Sequence, residues 1–272
     1  MINYGLLLKN LRDSIFVFCI CCIGLIAFSS LYVGAMQTMG KELLEFVSKF
    51  KILAKIFEMG FGINVDQGVS YQILFGVCFT HIVTLSLSWM IVISSSIRPM
   101  AGEIETGTAD ILFTLPITRT QILFNNLFVW IALSGLSSLC PVLGIWLATT
   151  FLGAKETIIV TDYLPVSANL FALNFAVGGM ATLASSLNNK RSVAIAVVIA
   201  ILVTSITLNF VEPFLPVLGP LKYVNLLYYF RPVDVIRSES WPWGPICLLS
   251  STGGILCIIA MYCFQKRDIA TG

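Results

Sequence analysis

Six long stretches of this sequence contain no Asp, Glu, Lys or Arg, and they constrain the fold more than any other feature. They are 20 to 35 residues long and cover residues 14–40, 67–97, 120–154, 163–189, 192–211 and 240–265. A helix needs about 20 apolar residues to cross the roughly 30 Å hydrocarbon layer of a bilayer, where a charged side chain is costly. Each stretch is therefore long enough to be a transmembrane helix.

The composition favours the same fold. Of 272 residues, 57% are hydrophobic and 11% are charged, whereas an ordinary soluble domain has about 25% charged residues. The runs are apolar on every face, as in AIAVVIAILV at 194–203, and do not alternate as membrane strands do. We predict one all-α integral membrane domain over residues 1–272, with six transmembrane helices. The predicted spans are 15–36, 72–97, 122–150, 166–187, 193–211 and 245–264.

Six spans place both chain ends on one side of the membrane, and the positions of Lys and Arg indicate which side. Counted over all segments outside the spans, the two sides tie. However, every basic residue on the side of the termini lies within a few residues of a span end. These residues are Lys9, Arg12, Arg98, Arg119, Lys190, Arg191, Lys266 and Arg267. We therefore predict that both termini are cytoplasmic.

The segments outside the spans carry weaker patterns. Leucines on one side of residues 4–14 suit either an interfacial helix that leads into the membrane or an extension of the first span. Residues 43–57 repeat apolar side chains every three or four positions, which predicts an amphipathic helix in the first outer loop that ends at the GFG of 60–62. The five prolines of 212–244 predict irregular structure at the headgroup level.

Polar residues inside spans are candidates for function, since an unpaired polar group in lipid is costly. His81 and Asn174 are such candidates. We interpret each first as a group bonded to a neighbouring helix, and second as part of a transport pathway. Gly178, Thr182 and Ser186 lie four residues apart and predict close helix packing, either inside the chain or at a dimer interface.

The sequence contains no recognisable motif for catalysis or metal binding. GAMQTMGKE at 34–42 has five residues between its glycines and Glu42 where a P-loop needs Ser or Thr. The eight cysteines all fall in apolar runs without a CxxC pair, which favours packing roles over disulfides or a metal site. The chain by itself is not predicted to be an enzyme.

A compact polar insert, RPMAGEIETGTADILFTLPITRTQIL at 98–123, separates the second and third spans. Gly107 predicts a break and Pro116 a helix end. Between them lies an apolar stripe at helical spacing: Ile111, Leu112 and Leu115. Such a two-turn amphipathic helix is marginal alone and needs a surface to pack on. The residues leave open whether this is a surface linker or a helix that binds a partner.

The insert resembles the signature of the membrane subunits of ABC exporters of the ABC-2 type. That signature has two acids, Gly-Thr, several apolar residues, Pro, one residue, and Ser/Thr-Arg. The matching residues here are Glu103, Glu105, Gly107, Thr108, Ile111, Leu112, Leu115, Pro116, Thr118 and Arg119. Thr106 stands where relatives often have Arg. The six spans, the outer stretch KILAKIFEMGFGINVDQGVSY and the closing FQKRDI extend the resemblance over most of the chain.

The resemblance implies a coupling helix within the region 98–121, which docks on a separate ATP-binding subunit. It also implies that two six-span subunits, identical or different, form the substrate pathway above two ATPase subunits in the inner membrane of a prokaryote. ATP and Mg²⁺ would then be bound by the ATPase and no cofactor by this chain. Membrane lipid is an expected partner and nucleic acid is not.

Two other classes of protein remain as alternatives. The first is a multi-span scaffold or assembly factor that binds a cytoplasmic partner and transports nothing. The second is an ion-coupled carrier, which predicts paired charges within the membrane and internal repeats. Neither feature is found by inspection of the sequence.

Overall fold

The computed structural model describes residues 3–50, 52, 54–55, 69–108, 117–153, 158–212 and 215–267. All regular secondary structure in these ranges is helical. Six helical segments are long and apolar enough to cross a membrane, and each predicted span falls within one of them. The described part of the chain is thus all-α and compatible with a multi-pass membrane protein.

The α-helices longer than three residues are named here in chain order; the short helical turn Glu103–Glu105 follows the second span and is not numbered. They are α1 (Tyr4–Ser48), α2 (Tyr71–Gly76), α3 (Ile82–Ile97), α4 (Arg119–Leu152), α5 (Leu164–Leu187), α6 (Arg191–Val211), α7 (Pro232–Ser238) and α8 (Trp243–Lys266). Shorter 3₁₀ segments cover Val77–Phe79, Val160–Tyr163, Pro216–Val224 and Leu226–Tyr229. The six long apolar segments contain α1, α2 with α3, α4, α5, α6 and α8.

Helix α1 is continuous over 45 residues, a length of about 67 Å at 1.5 Å per residue. Asn3 begins it by accepting hydrogen bonds from the amides of Gly5 and Leu6. Residues 4–14, which suited either an interfacial helix or an extension of the first span, are the first turns of this continuous helix. Residues 43–48 of the predicted outer-loop helix are its last turns, and 56–68 lie outside the described residues.

The second span is broken where a single helix was predicted. Helix α2 gives way to the 3₁₀ turn Val77–Phe79, and α3 begins only at Ile82. The Thr84 hydroxyl donates to the carbonyl of Cys78 at 2.6 Å, and His81 caps the N-terminus of α3. These side chains take hydrogen bonds that a continuous helix would have made through its backbone.

Three spans form the centre of the bundle. Among the 18 most apolar consecutive residues of each span, 61% are buried in α2–α3, 61% in α4 and 72% in α5. The buried share is only 28% in α1, and it is 22% in both α6 and α8. A core made of α3, α4 and α5 is therefore flanked by α1, α6 and α8. The outward faces of those flanking helices carry large exposed apolar side chains, such as Phe16, Ile199 and Ile258.

Small residues allow the close packing that the sequence predicted, and they do so inside the chain. A Cβ at Gly178 would overlap the indole ring of Trp130 in α4. A Cβ at Gly179 would lie 2.6 Å from the carbonyl oxygen of Gly253 in α8. Trp130 thus excludes a side chain at Gly178, and the close approach of the α5 and α8 backbones excludes one at Gly179.

The segment 215–242 is more ordered than the predicted irregular loop. It forms two 3₁₀ segments and α7. Val233 and Ile236 of α7 are buried, and a Cβ at Gly76 would overlap Ile236. The segment therefore packs onto the start of the second span, at the end of the bundle opposite the insert.

Candidate functional site

The insert, the start of α1 and the residues after α8 meet at one end of the bundle, which we call the insert end. Lys9 and Asp13 of α1 lie there, and so does Arg267, the first residue after α8. Both ends of the described chain thus lie at the same end of the bundle, as an even number of spans requires.

At the end of the second span, a side chain from another helix interrupts the backbone hydrogen bonds. The Ser185 hydroxyl from α5 donates to the carbonyl of Ile97 and accepts from the amide of Ala101, both at 3.0 Å. An α-helix would join those two backbone groups directly. Pro99 also lacks an amide hydrogen, so residues Arg98–Gly102 form a π-helical turn. Such insertions are a recognised cause of helix distortion.

Glu103 connects the insert to the start of α1. Its Oε1 lies 2.5 Å from Nζ of Lys9, and its Oε2 accepts from the Thr108 hydroxyl at 2.6 Å. Lys9 is also 3.9 Å from Asp13. Charge-assisted hydrogen bonds of this length are stronger than neutral ones, so this carboxylate fixes the insert to α1.

A second contact between the same segments lies one turn earlier. The Arg98 guanidinium donates to the carbonyl of Asp13 at 2.8 Å and lies 3.5 Å from its carboxylate. Arg98 is exposed while its neighbours Pro99 to Gly102 are buried. The π-helical turn is thus held on α5 by Ser185 and on α1 by Arg98.

Glu105 joins the insert to α6. Its Oε2 accepts from the backbone amide of Arg191 at 2.8 Å, and Arg191 is the first residue of α6. Lys190, at the N-cap position, makes no side-chain capping bond. A carboxylate at a helix N-terminus satisfies an amide that the helix leaves unbonded and interacts favourably with the helix dipole.

This arrangement predicts different effects for two substitutions of Glu105. Glu105→Ala removes the acceptor and is expected to lower the free energy of unfolding by about 0.5–1 kcal/mol, as loss of a helix cap does. Glu105→Gln keeps an amide oxygen in place and should lose clearly less. Unfolding of the purified chain in detergent measures both. Equal losses would contradict a role for the hydrogen bond to Arg191.

The insert turns sharply after Glu105. Gly107 has a φ of +71° with open space around its Cβ position, as is common just after a helix end. The predicted break at Gly107 is therefore confirmed. Thr106 and Thr108 bond to each other at 2.9 Å. The remaining part of the predicted coupling set, Ile111, Leu112, Leu115 and Pro116, lies outside the described residues.

The chain re-enters the bundle through the predicted capping box. Thr118 accepts from the amide of Gln121 at 3.2 Å, and the Gln121 side chain accepts from the amide of Thr118 at 3.0 Å. The next residue, Arg119, donates to the carbonyls of Phe264, Gln265 and Arg267 at 2.5 to 3.3 Å. It therefore caps the C-terminus of α8, where the helix dipole favours a cation.

Arg267 repeats this pattern on the neighbouring helix. It donates to the carbonyls of Ser186 at 2.7 Å and Asn188 at 3.2 Å, and it contacts the side chain of Asn189. It therefore caps the C-terminus of α5. Together with Arg119, it links the start of α4 to the ends of α5 and α8.

A lateral groove lies between α1, α3 and α6, with a volume of about 490 Å³. Its walls are mainly apolar and include Val17, Trp89, Ile93, Ile199 and Val203. Ser94 and Arg191 line it too, and both lie near the insert-end termini of their helices. A flexible apolar molecule or the apolar face of another helix would fit such walls.

The two polar candidates within the spans differ in their surroundings. His81 is half-buried, and its Nδ1 accepts from the amide of Val83 in its own helix at 3.3 Å. Its ring centroid lies 4.7 Å from that of Phe28 and 6.2 Å from that of Tyr32, both in α1. Asn174 is fully buried, and no described residue hydrogen-bonds to its side chain.

Sequence reasoning missed the residues that receive the insert. Lys9, Arg191 and Arg267 were noted only as basic residues near span ends, and that position was the available signal. Ser185 gave no signal, because a serine within an apolar span is common in helix packing. Its role depends on which backbone groups it meets in three dimensions.

No family model matches the sequence, and a search of curated proteins gives no match.

Proposed function

We propose that this protein is the transmembrane permease subunit of an ATP-binding cassette exporter of the ABC-2 type, with its ATPase on a separate chain. The observation that carries the proposal is the insert. Its two acids, Gly107-Thr108, Pro116 and Thr118-Arg119 occur in the order of the family signature, between the second and third long apolar helices.

The contacts of the insert support a mechanical role. Glu103 joins it to α1, Glu105 joins it to α6 and Ser185 joins it to α5. An ATPase that moves residues 109–116 would therefore pull on several spans at once. Rigid polar contacts suit this task, because a slack linker would absorb the movement.

The exposed faces support a dimeric pathway. The groove between α1, α3 and α6 is apolar and opens sideways, and α1 and α6 are among the least buried spans. No described residue covers these apolar faces, and exposed apolar faces mark contacts with lipid or another subunit. Two copies, or this chain with a related one, would enclose a substrate pathway between such faces.

The direct test is co-purification. The tagged chain, expressed with its neighbouring genes and extracted in mild detergent, is expected to bring down a subunit that contains GxxxxGK[ST]. ATP hydrolysis by the complex should depend on the presence of this chain. A chain that brings down only proteins without a nucleotide site would instead be a scaffold.

Orientation gives an independent prediction. With the insert in the cytoplasm of a prokaryotic cell, a membrane-impermeant thiol reagent should label Lys49→Cys in intact cells. Thr106→Cys should be labelled only after lysis. Both positions are exposed, so accessibility alone does not separate them. A chain without reactive native thiols is the control, and the reverse pattern would contradict the proposed orientation.

A further inference from the structure

Several buried polar residues of the central bundle have hydrogen-bonding atoms that no described residue pairs. Four of them are Ser88 in α3, Trp130 and Ser134 in α4, and Asn174 in α5, each 0% exposed. The unpaired atoms are both hydroxyl oxygens, the indole Nε1, and both Oδ1 and Nδ2 of Asn174. Such groups are rare in folded proteins because each gives up its hydrogen bonds to water without replacement.

Contacts on either side of Ser134 and Asn174 place these two residues at one level. Helices α4 and α5 are antiparallel, and the Ser167 hydroxyl donates to the carbonyl of Ser138 at 2.6 Å. Two turns before Ser138 in α4, Trp130 packs on Gly178 of α5. Ser134 lies one turn from both Ser138 and Trp130, and Asn174 lies one turn from Gly178. The two side chains therefore face the same part of the interface.

The contacts of α3 bring Ser88 to the same level. Helices α3 and α4 are antiparallel, and the Asn126 side chain donates to the carbonyl of Ser96 at 3.0 Å. Ser88 lies eight residues before Ser96 in α3, and Ser134 lies eight residues after Asn126 in α4. In antiparallel helices these two positions are at the same level. Val92 and Trp130, halfway between, belong to one buried cluster.

The parallel pair α3 and α5 gives the same level independently. The Ser185 hydroxyl of α5 bonds to Ile97, the last residue of α3, and to Ala101 in the π-helical turn that follows it. Asn174 lies about three turns before Ser185 in α5, and Ser88 lies about three turns before this contact in the second span. All three helix pairs thus converge on Ser88, Ser134 and Asn174.

We propose that this three-helix junction is a buried binding site for water. Its groups include donors, the Trp130 indole and the Asn174 amide, and an acceptor, the Asn174 carbonyl oxygen, while the hydroxyls can serve as either. That mixture suits water, which donates and accepts and typically makes about three hydrogen bonds when buried. A bare cation would be repelled by the N–H groups, and none of the four side chains carries a compensating charge. The inference does not depend on the proposed function.

Hydroxyl-radical footprinting of the full chain in lipid nanodiscs tests for water at the junction. X-rays generate radicals from bound water, so Trp130 should be oxidised although it is 0% exposed. Met100, 1% exposed in an apolar cluster with Leu123 and Phe264, should stay unmodified. In Ser88→Ala/Ser134→Ala/Asn174→Leu, oxidation of Trp130 should fall several-fold. Absent oxidation in the unmodified chain, or no fall in the variant, would overturn the proposal.

The thermal midpoint of a variant that lacks both hydroxyls provides a second test, because bound water and a dry junction predict changes of opposite sign. If water bonds the two hydroxyls, Ser88→Ala/Ser134→Ala removes its partners and should lower the thermal midpoint by several degrees. If the hydroxyls are dry and unpaired, their removal relieves a cost and the midpoint should rise, which would contradict the proposal. Ser137→Ala is the matched control, since that buried hydroxyl on α4 bonds to the carbonyl of Ser134 in its own helix and should change the midpoint less.

Discussion

Leu112→Asp is expected to release the ATPase from this chain. If residues 108–115 pack into a groove of the ATPase, the substitution buries an unpaired carboxylate in that contact, which costs several kcal/mol. A loss of about 3 kcal/mol lowers the binding constant more than a hundredfold. The variant should still reach the membrane, because residue 112 lies outside the predicted spans. Co-purification and substrate-stimulated ATP hydrolysis measure the two consequences.

Two variants serve as controls for this loss. Leu112→Met keeps an apolar side chain of similar volume and should retain the ATPase. Glu105→Ala should retain it too, while weakening the coupling of hydrolysis to transport, because its carboxylate bonds to the start of α6 within the chain. An intact complex with normal stimulated hydrolysis in Leu112→Asp would identify the stretch as a surface linker and remove the main support for an exporter.

The second large effect is expected at the contact between α5 and α8. A Cβ at Gly253 would lie 2.5 Å from Cδ1 and 2.7 Å from the carbonyl oxygen of Phe175. Backbone atoms cannot rotate away, so Gly253→Ala must separate the two helices. Overpacking of a tight core typically costs about 1–3 kcal/mol. We expect a lower yield of folded protein and a lower thermal midpoint in detergent.

The adjacent glycine offers a matched control. A Cβ at Gly254 meets nothing within 4 Å, so Gly254→Ala makes the same chemical change on the same helix without a clash. It should leave stability unchanged or slightly raised, because Ala favours a helix more than Gly does. If both substitutions had the same effect, close packing of α5 on α8 would not explain the loss.

Several features of the fold follow from the sequence because they depend on local or one-dimensional properties. The lengths of the charge-free runs predicted all six long apolar helices. Thr118 and Gln121 predicted the start of α4, and Gly107 predicted the turn after Glu105. Capping and chain reversal are decided by residues a few positions apart, so they are readable before the fold is known.

Other features were predictable only in part. The leucines of residues 4–14 left two alternatives open, and the structure shows a continuous α1. The break before α3 was missed, since nothing in the apolar run indicates that Thr84 and His81 will bond to backbone groups there. The prolines of 212–244 predicted irregular structure, but they gave no indication that the segment would form two 3₁₀ segments or that α7 would be buried against Gly76.

The sequence by itself therefore determined the six apolar helices, the position of the insert between the second and third, and the local signals that bound it. Only the tertiary structure decided which groups meet. It placed Glu103 on Lys9, Glu105 on the start of α6 and Ser185 in the backbone of the second span. These pairs are about 85 to 95 residues apart, and hydropathy in the spans between them constrains burial but not rotation or register. Rotation and register come from close contacts such as Gly178 on Trp130, where the shapes of two helices must fit.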